Sequence, residues 1–424
     1  MLKTEVKEDK TIFKQIFEDH WNAFKYGNPQ YDIDQYNIPV NKMLNCASAA
    51  SGYREYTCFN CGHYRQVCFS CKSTFCLSCS LGYVDNVISQ VSQSLHAGVT
   101  YRHMVLTVPE QLRPLFFKSR HDGKFLSDFM KQGYECLEES VGVLRKQDLK
   151  IGCIVVVHTH GRSGTYNPHL HIIMTDGGIS LKTEKWGDLG YMEYHVIRRK
   201  WQYKLSGWIK SIFGYKVKSL IDKLWKKYTK GFVMHVSKGD VPESGRGLAK
   251  YLAKYVASPP ISVKRILDYD GQNVKYWYMD HETKSKKVET VPVFTFIGRM
   301  VQHIMVKSFQ RIRYYGLQAT KTFQKWKSIV QEGIRKIGEI VKDTYQIIAS
   351  KTYRERYKKT SLIDPFICSE CGSEMELSKI WHPKYGVIYD LLDESPLVEE
   401  TKTTLKESID KIVQNIQFSF PLLV

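Results

Sequence analysis

Apolar and polar positions recur with recognisable periods along the 424-residue chain. The stretch "TIFKQIFEDHWNAF" reads as a short helix. In "GYVDNVISQVSQSLHAG", Val84, Val87, Ile88 and Val91 fall at helical spacing. Four runs, "RHMVLTV", "GCIVVVHTH", "HLHIIMT" and "GFVMHVS", read as strands with helical stretches between them. "GRGLAKYLAKYVASPPIS" reads as a helix favoured by Ala, Leu and Lys and stopped by Pro259-Pro260. "ISVKRILDYDGQNVKYWYM" predicts a hairpin turning at Asp270-Gly271. From Phe294 to about Tyr357 the chain reads as largely helical and basic. Strands separated by helices suggest an α/β or α+β sandwich.

The middle strands carry the unusual residues. Side chains alternate faces along a strand, so His169 and His171 share one face while Leu170, Ile172 and Met174 share the other. His158 and His160 likewise share a face. If the two strands are antiparallel neighbours joined through "GRSGTYN", the histidine faces converge. Three imidazoles from adjacent strands would make a metal site with positions left for a substrate; His158 or His160 could be the third ligand, and spacing favours His158. Tyr251 and Tyr255, four apart on the predicted helix, would present both phenols on one face.

Composition narrows the class. Lys and Arg number 62 against 43 Asp and Glu, a formal charge of +19, which points to nucleic acid. Between Arg198 and Lys230 stand 11 cations and the single acid Asp222, interleaved with Trp201, Tyr203, Trp208, Phe213, Tyr215, Trp225 and Tyr228. That pattern suits single-stranded DNA, with cations on phosphates and rings on bases, or else two basic helices whose rings face a core. No apolar run reaches the roughly 18 residues a membrane span needs. The start "MLKTEVKEDK" has no signal-peptide core, so a cytoplasmic protein is expected.

Cysteines cluster in "CFNCGHYRQVCFSCKSTFCLSC". Paired CxxC units in a cytosolic chain mean metal before disulfides. Cys58, Cys61, Cys76 and Cys79 are the expected ligands of one structural zinc ion. Cys46, Cys68, Cys71 and His63 remain for a second site, with Cys46 and Cys71 foremost. The later "CSEC", Cys368 and Cys371, is half a ribbon whose partner could be His382, another subunit or nothing.

His169-Leu170-His171 resembles the signature of the HUH endonucleases, which nick single-stranded DNA, and His158 lies where relaxases of that superfamily place a third histidine. The zinc pattern, "RHMVLTVPEQLRPLF", the histidine strands, "YLAKYVASPPIS" and "KSFQRIRYYGL", in this order, are similar to the rolling-circle transposases of the IS-ninety-one type, the two-tyrosine HUH transposases. The likeness covers roughly residues 10 to 320. "FCLSC" departs from the family's last knuckle by lacking its Arg and Pro.

The resemblance implies an α+β fold. A zinc-binding module over residues 1–97 would precede an HUH nuclease core over 98–265, a central antiparallel sheet flanked by helices. A hairpin and a basic, mostly helical region with a lone CxxC would fill 266–424. It implies nicking of single-stranded transposon ends by Tyr251 or Tyr255 through a 5′-phosphotyrosine and rejoining with target DNA. Mg2+ or Mn2+ would sit at His158, His169 and His171, and Zn2+ at the cysteines. Lys254, Arg311 and Arg313 would contact DNA. No membrane partner is expected, and an oligomer is compatible with all of this. A replication initiator or relaxase, and a non-catalytic zinc-dependent DNA-binding protein, are the alternatives; the tyrosines following the histidines favour the transposase.

Overall fold

The computed structural model describes residues 11–145, 148–236, 261–280, 283–335 and 363–391, together with 247, 250, 251, 259, 352, 354, 355, 357 and 358. In chain order these form α1 (Ile12–Gly27), α2 (Asp34–Leu44), β1 (Tyr53–Thr57), β2 (Tyr64–Cys68), α3 (Leu77–Gln93) and β3 (Tyr101–Thr107). Next come α4 (Arg113–Lys118), α5 (Gly123–Arg145), β4 (Leu149–Lys150), β5 (Gly152–His160), β6 (Tyr166–Thr175), β7 (Gly177–Ser180) and β8 (Trp186–Asp188). Then follow α6 (Tyr194–Phe213), α7 (Lys218–Lys227), β9 (Met234–Val236), β10 (Ile266–Tyr269), β11 (Asn273–Met279) and β12 (Lys286–Pro292). The last are α8 (Val293–Val301), β13 (Ile312–Gly316), α9 (Phe323–Arg335), β14 (Glu376–His382) and β15 (Gly386–Asp390). The class is α+β with antiparallel sheets. No helix among the described residues is long and apolar enough to cross a membrane.

The chain divides into two compact units, Met1–Leu44 with Ser73–Ala349 and Asn45–Lys72 with Ser350–Val424. At the centre of the first lies a five-stranded antiparallel sheet in the order β13-β5-β6-β3-β9. All four runs read as strands from the sequence are in it. The added edge, β13, lies within the stretch expected to be helical: its residues Ile312–Gly316 pair with Val156–Gly152 of β5. Among the described residues the C-terminal region carries strands β13, β14 and β15 beside helices α8 and α9; β-branched and aromatic side chains in "IRYYG" fit a pleated surface.

One face of the sheet turns Leu106, Val155, Val157, Leu170, Ile172 and Met174 toward α5 and α6, burying Phe129, Leu137 and Trp201 against them. At roughly 1.5–3 kcal/mol per large apolar side chain, this layer is a principal source of stability. Gly133 lets α5 approach closely, because a Cβ there would lie 2.4 Å from Leu170 Cδ1. The opposite face buries Ile154, Val156 and Ile173 against Val87, Ile88 and Val91 of α3 and Val330 and Ile334 of α9. Strand β5 is buried on both sides, which is why its sequence is a continuous apolar run. The hairpin expected at Asp270-Gly271 is β10–β11; β12, which the sequence did not announce, pairs with β11.

The second unit holds a four-stranded sheet in the order β15-β14-β1-β2. Thus β1, from the cysteine region, pairs along its length with β14 near the other end of the chain, Tyr53 opposite Trp381 and Thr57 opposite Glu376. Tyr53 and Trp381 stack at 5.7 Å, and Thr57 donates to Ser378 Oγ at 2.8 Å.

Candidate metal and nucleophile site

Strands β5 and β6 pair with His158 opposite His169 and Val156 opposite His171. Cross-strand partners share a face, so the two histidine faces do converge, on the side of the sheet away from α5 and α6. The ligating atoms of His158, His169 and His171 lie within 4.8 Å of one another. Their ring centroids are 4.5 Å apart for His158–His171 and 4.9 Å for His169–His171. His169 Nδ1 contacts the Asn167 carbonyl at 2.7 Å, which turns its Nε2 inward to 3.1 Å from His171 Nε2. Burial pushes the pKa of His171 well below the ordinary histidine value, and the neighbouring imidazoles push the same way. A neutral imidazole is the form that ligates a metal.

Sequence reasoning left open whether His158 or His160 completes the triad. His158 is the one gathered there. His160 stacks on His158 at 5.2 Å but follows a register shift, opposite Tyr166, and approaches His303 at 5.3 Å. His303 bonds Thr159 at 3.1 Å and the Gly164 carbonyl at 2.8 Å, so it holds the β5–β6 connection.

His103 on β3 is the residue the sequence reading missed. Val105 stands opposite His171, so His103, two positions away, shares the histidine face. Its Nε2 lies 2.9 Å from His171 Nδ1, and its Nδ1 lies 2.7 Å from the Tyr251 hydroxyl. Burial lowers its pKa to about 4. The available signal was a histidine inside the otherwise apolar strand "RHMVLTV". Tyr251 is helical and half-buried, with its ring against the apolar cluster on the α3 face of the sheet. Tyr255 and Lys254 lie outside the described residues.

The cysteines are grouped differently from the expectation. Cys58 and Cys61 meet Cys368 and Cys371, with all four sulfurs within 4.8 Å, and not Cys76 and Cys79. The reason is the β1–β14 pairing, which no local spacing encodes. Cys76 and Cys79 open α3 in the first unit, joined by a Cys79 N–H to Cys76 carbonyl bond of 3.1 Å. Cys46 and Cys71 lie together in the second, where the Cys71 N–H donates to Cys46 Sγ at 3.3 Å. His382 bonds the Lys384 N–H through Nδ1 and is no part of the Cys368–Cys371 group.

A family described as "Putative transposase" matches residues 152–325, spanning the histidine strands and Tyr251. A second, "Transposase zinc-binding domain" of the IS-ninety-one type, matches residues 16–108. The transposase for insertion sequence element IS801 of Pseudomonas savastanoi pv. phaseolicola is 28% identical over 79% of this chain and 82% of its own. These matches support a transposase of the IS-ninety-one type. A putative transposase, y4qJ, of Sinorhizobium fredii is 24% identical over 81% of this chain and 88% of its own. No solved structure matches.

A transposase acts on DNA, and the aromatic rings of the basic stretch divide between buried and exposed positions. Trp201 is fully buried on α6, donating from Nε1 to the Thr107 carbonyl at 2.9 Å, and Trp208 packs against Phe125. Tyr203 and Tyr215 are 66% and 85% exposed, and Trp225 faces solvent as well. Lys200 and Lys204 are engaged by Glu139, and Lys204 also by Glu135. Arg311 donates to the His303 carbonyl at 3.0 Å and Arg313 to Ser127 Oγ at 2.7 Å, so part of each guanidinium serves the scaffold of the transposase.

Proposed function

We propose that this transposase nicks single-stranded DNA at the ends of its element, Tyr251 or Tyr255 attacking a phosphodiester beside a Mg2+ or Mn2+ ion held by His158, His169 and His171. The observation that carries the reading is the chain of contacts from the triad through His103 to the Tyr251 hydroxyl. Buried imidazoles converging on one point fit a divalent cation, and nitrogen donors suit manganese better than magnesium. Held by His158, His169 and His171, such an ion would supply Lewis acidity that offsets the charge of the transition state.

The protein's own groups do the rest. With His171 Nε2 turned toward His169, its Nδ1 would carry the proton and donate to His103 Nε2. His103 then carries its proton on Nδ1 and donates it to the Tyr251 oxygen. That bond holds the phenol oxygen in place for attack. The phenolate oxygen forms a bond to phosphorus as the bond from phosphorus to the 3′ oxygen breaks. The phenol gives its proton to water, the leaving oxygen takes one from water to become a 3′-OH, and the 5′ phosphate stays on the tyrosine for rejoining to target DNA. Tyr255, one helical turn further by sequence, is assigned the second strand. Lys254 and the remaining donors of Arg311 and Arg313 are assigned to phosphates, and Tyr203 and Tyr215 to bases. The site of action is assigned to the cytoplasm.

The test incubates purified protein with single-stranded DNA bearing the element's terminus and Mn2+ or Mg2+, and seeks a covalent adduct on a denaturing gel. A metal-dependent adduct that is lost in the Tyr251→Phe/Tyr255→Phe double variant is expected, and the single variants rank the phenols. Tight binding without an adduct on any strand or metal would replace this reading by that of a non-catalytic DNA-binding protein.

A further inference from the structure

The zinc-binding family match ends at residue 108 and leaves Cys368 and Cys371 without a role. The CxxC segments Cys58–Cys61 and Cys368–Cys371 of the second unit fold into the same turn. In the first, the Gly62 N–H donates to the Cys58 carbonyl at 2.8 Å and the Cys58 N–H to the His63 carbonyl at 2.8 Å. In the second, the Gly372 N–H donates to the Cys368 carbonyl at 3.1 Å and the Cys368 N–H to the Ser373 carbonyl at 2.9 Å. Gly62 and Gly372 both have φ +75°, a left-handed conformation that glycine adopts without the clash a Cβ would bring. These turns aim backbone and thiols the way a metal knuckle requires.

The turns also face each other. Cys58 Sγ is 3.4 Å from Cys371 Sγ, and Cys61 Sγ is 3.6 Å from Cys368 Sγ. A tetrahedral zinc ion with Zn–S bonds of about 2.3 Å sets its sulfurs about 3.8 Å apart, whereas a disulfide would bring them to about 2 Å. The surroundings hold the second turn in place. Arg65 donates to the Asp364 and Ile367 carbonyls at 2.8 and 3.1 Å, while Arg354 and Lys358 grip the Asp364 carboxylate at 2.7 and 2.6 Å. Tyr56, Val67 and Met375 form an apolar floor with Cys58 and Cys368.

We infer that Cys58, Cys61, Cys368 and Cys371 bind one zinc ion, making a single ribbon from knuckles that stand more than 300 residues apart in the chain. The C-terminal CxxC is then the missing half of the N-terminal zinc module. The inference stands apart from the nicking chemistry and fails or survives independently of it.

Zinc content of the full chain, measured by mass spectrometry of the metal, tests it. Cys368→Ser/Cys371→Ser is expected to lose about one zinc ion per chain, and so is Cys58→Ser/Cys61→Ser. Combining the four substitutions is expected to lose no more than either pair. Cys371→His, which keeps a zinc ligand, is expected to retain the ion, which separates ligation from misfolding. Cobalt substituted for zinc should show the absorption of four thiolates, reduced when either pair is removed. Unchanged zinc in Cys368→Ser/Cys371→Ser, or two ions lost in the fourfold variant, would overturn the shared site.

Discussion

His103 sits between the group that would hold a metal and the group that would attack, touching His171 through one ring nitrogen and Tyr251 through the other. Outer partners of metal-bound histidines typically account for 10–100-fold in affinity or activity. His103→Leu should therefore lower both Mn2+ affinity and the nicking rate by about 10–100-fold, measured by metal titration and adduct formation. His103→Asn, which keeps a donor toward the phenol, should recover part of the rate and little of the metal affinity. Wild-type nicking by His103→Leu would remove this residue from the chemistry. The triad itself was legible from spacing, because alternation alone sends His169 and His171 to one face. His103 was not, since its neighbours become so only when β3 pairs with β6.

Among the elements, the end of α3 and the start of α9 are tied by His96, which is buried, bonds the Leu317 carbonyl through Nε2 at 2.9 Å and stacks on Phe323 at 4.7 Å. Burial lowers its pKa to about 4. The unfolded chain takes up the proton near 6.5, whereas the folded chain resists until about 4. The His96 contribution is thus intact above pH 6.5 and is lost as pH falls toward 4, by about 3 kcal/mol. Denaturant titrations at pH 7 and 4.5 should show a larger fall for wild type than for His96→Gln; equal falls would contradict the assignment. The helices α1 and α3 were readable, as were the turn residues of the β10–β11 hairpin. Strand β13 was not, because the basic "QRIRYYGL" shows no period that separates strand from helix, and its partner β5 decides the matter.

At the scale of the molecule, the second unit draws on segments from both ends of the described chain, and its four-stranded sheet is small. A small sheet buries little apolar surface, so a bound metal ought to supply much of its stability. Chelation of zinc from the intact protein should therefore expose the amides of β1, β2, β14 and β15 to hydrogen exchange, while β5 and β6 stay protected. Exchange unchanged in β1 and β14 after complete zinc removal would show that the sheet stands without its ion.

Charge, the CxxC spacing, the alternation of histidines and the helical spacing of Tyr251 and Tyr255 are local properties, and the sequence by itself determined a zinc-bearing DNA enzyme from them. Which thiols stand together, which histidine reaches the phenol and which aromatic rings stay exposed are long-range facts. They follow from β1 pairing with β14, β3 with β6 and α6 packing on the sheet. Such pairings are chosen by the burial of whole faces and by register, which no single stretch of sequence contains.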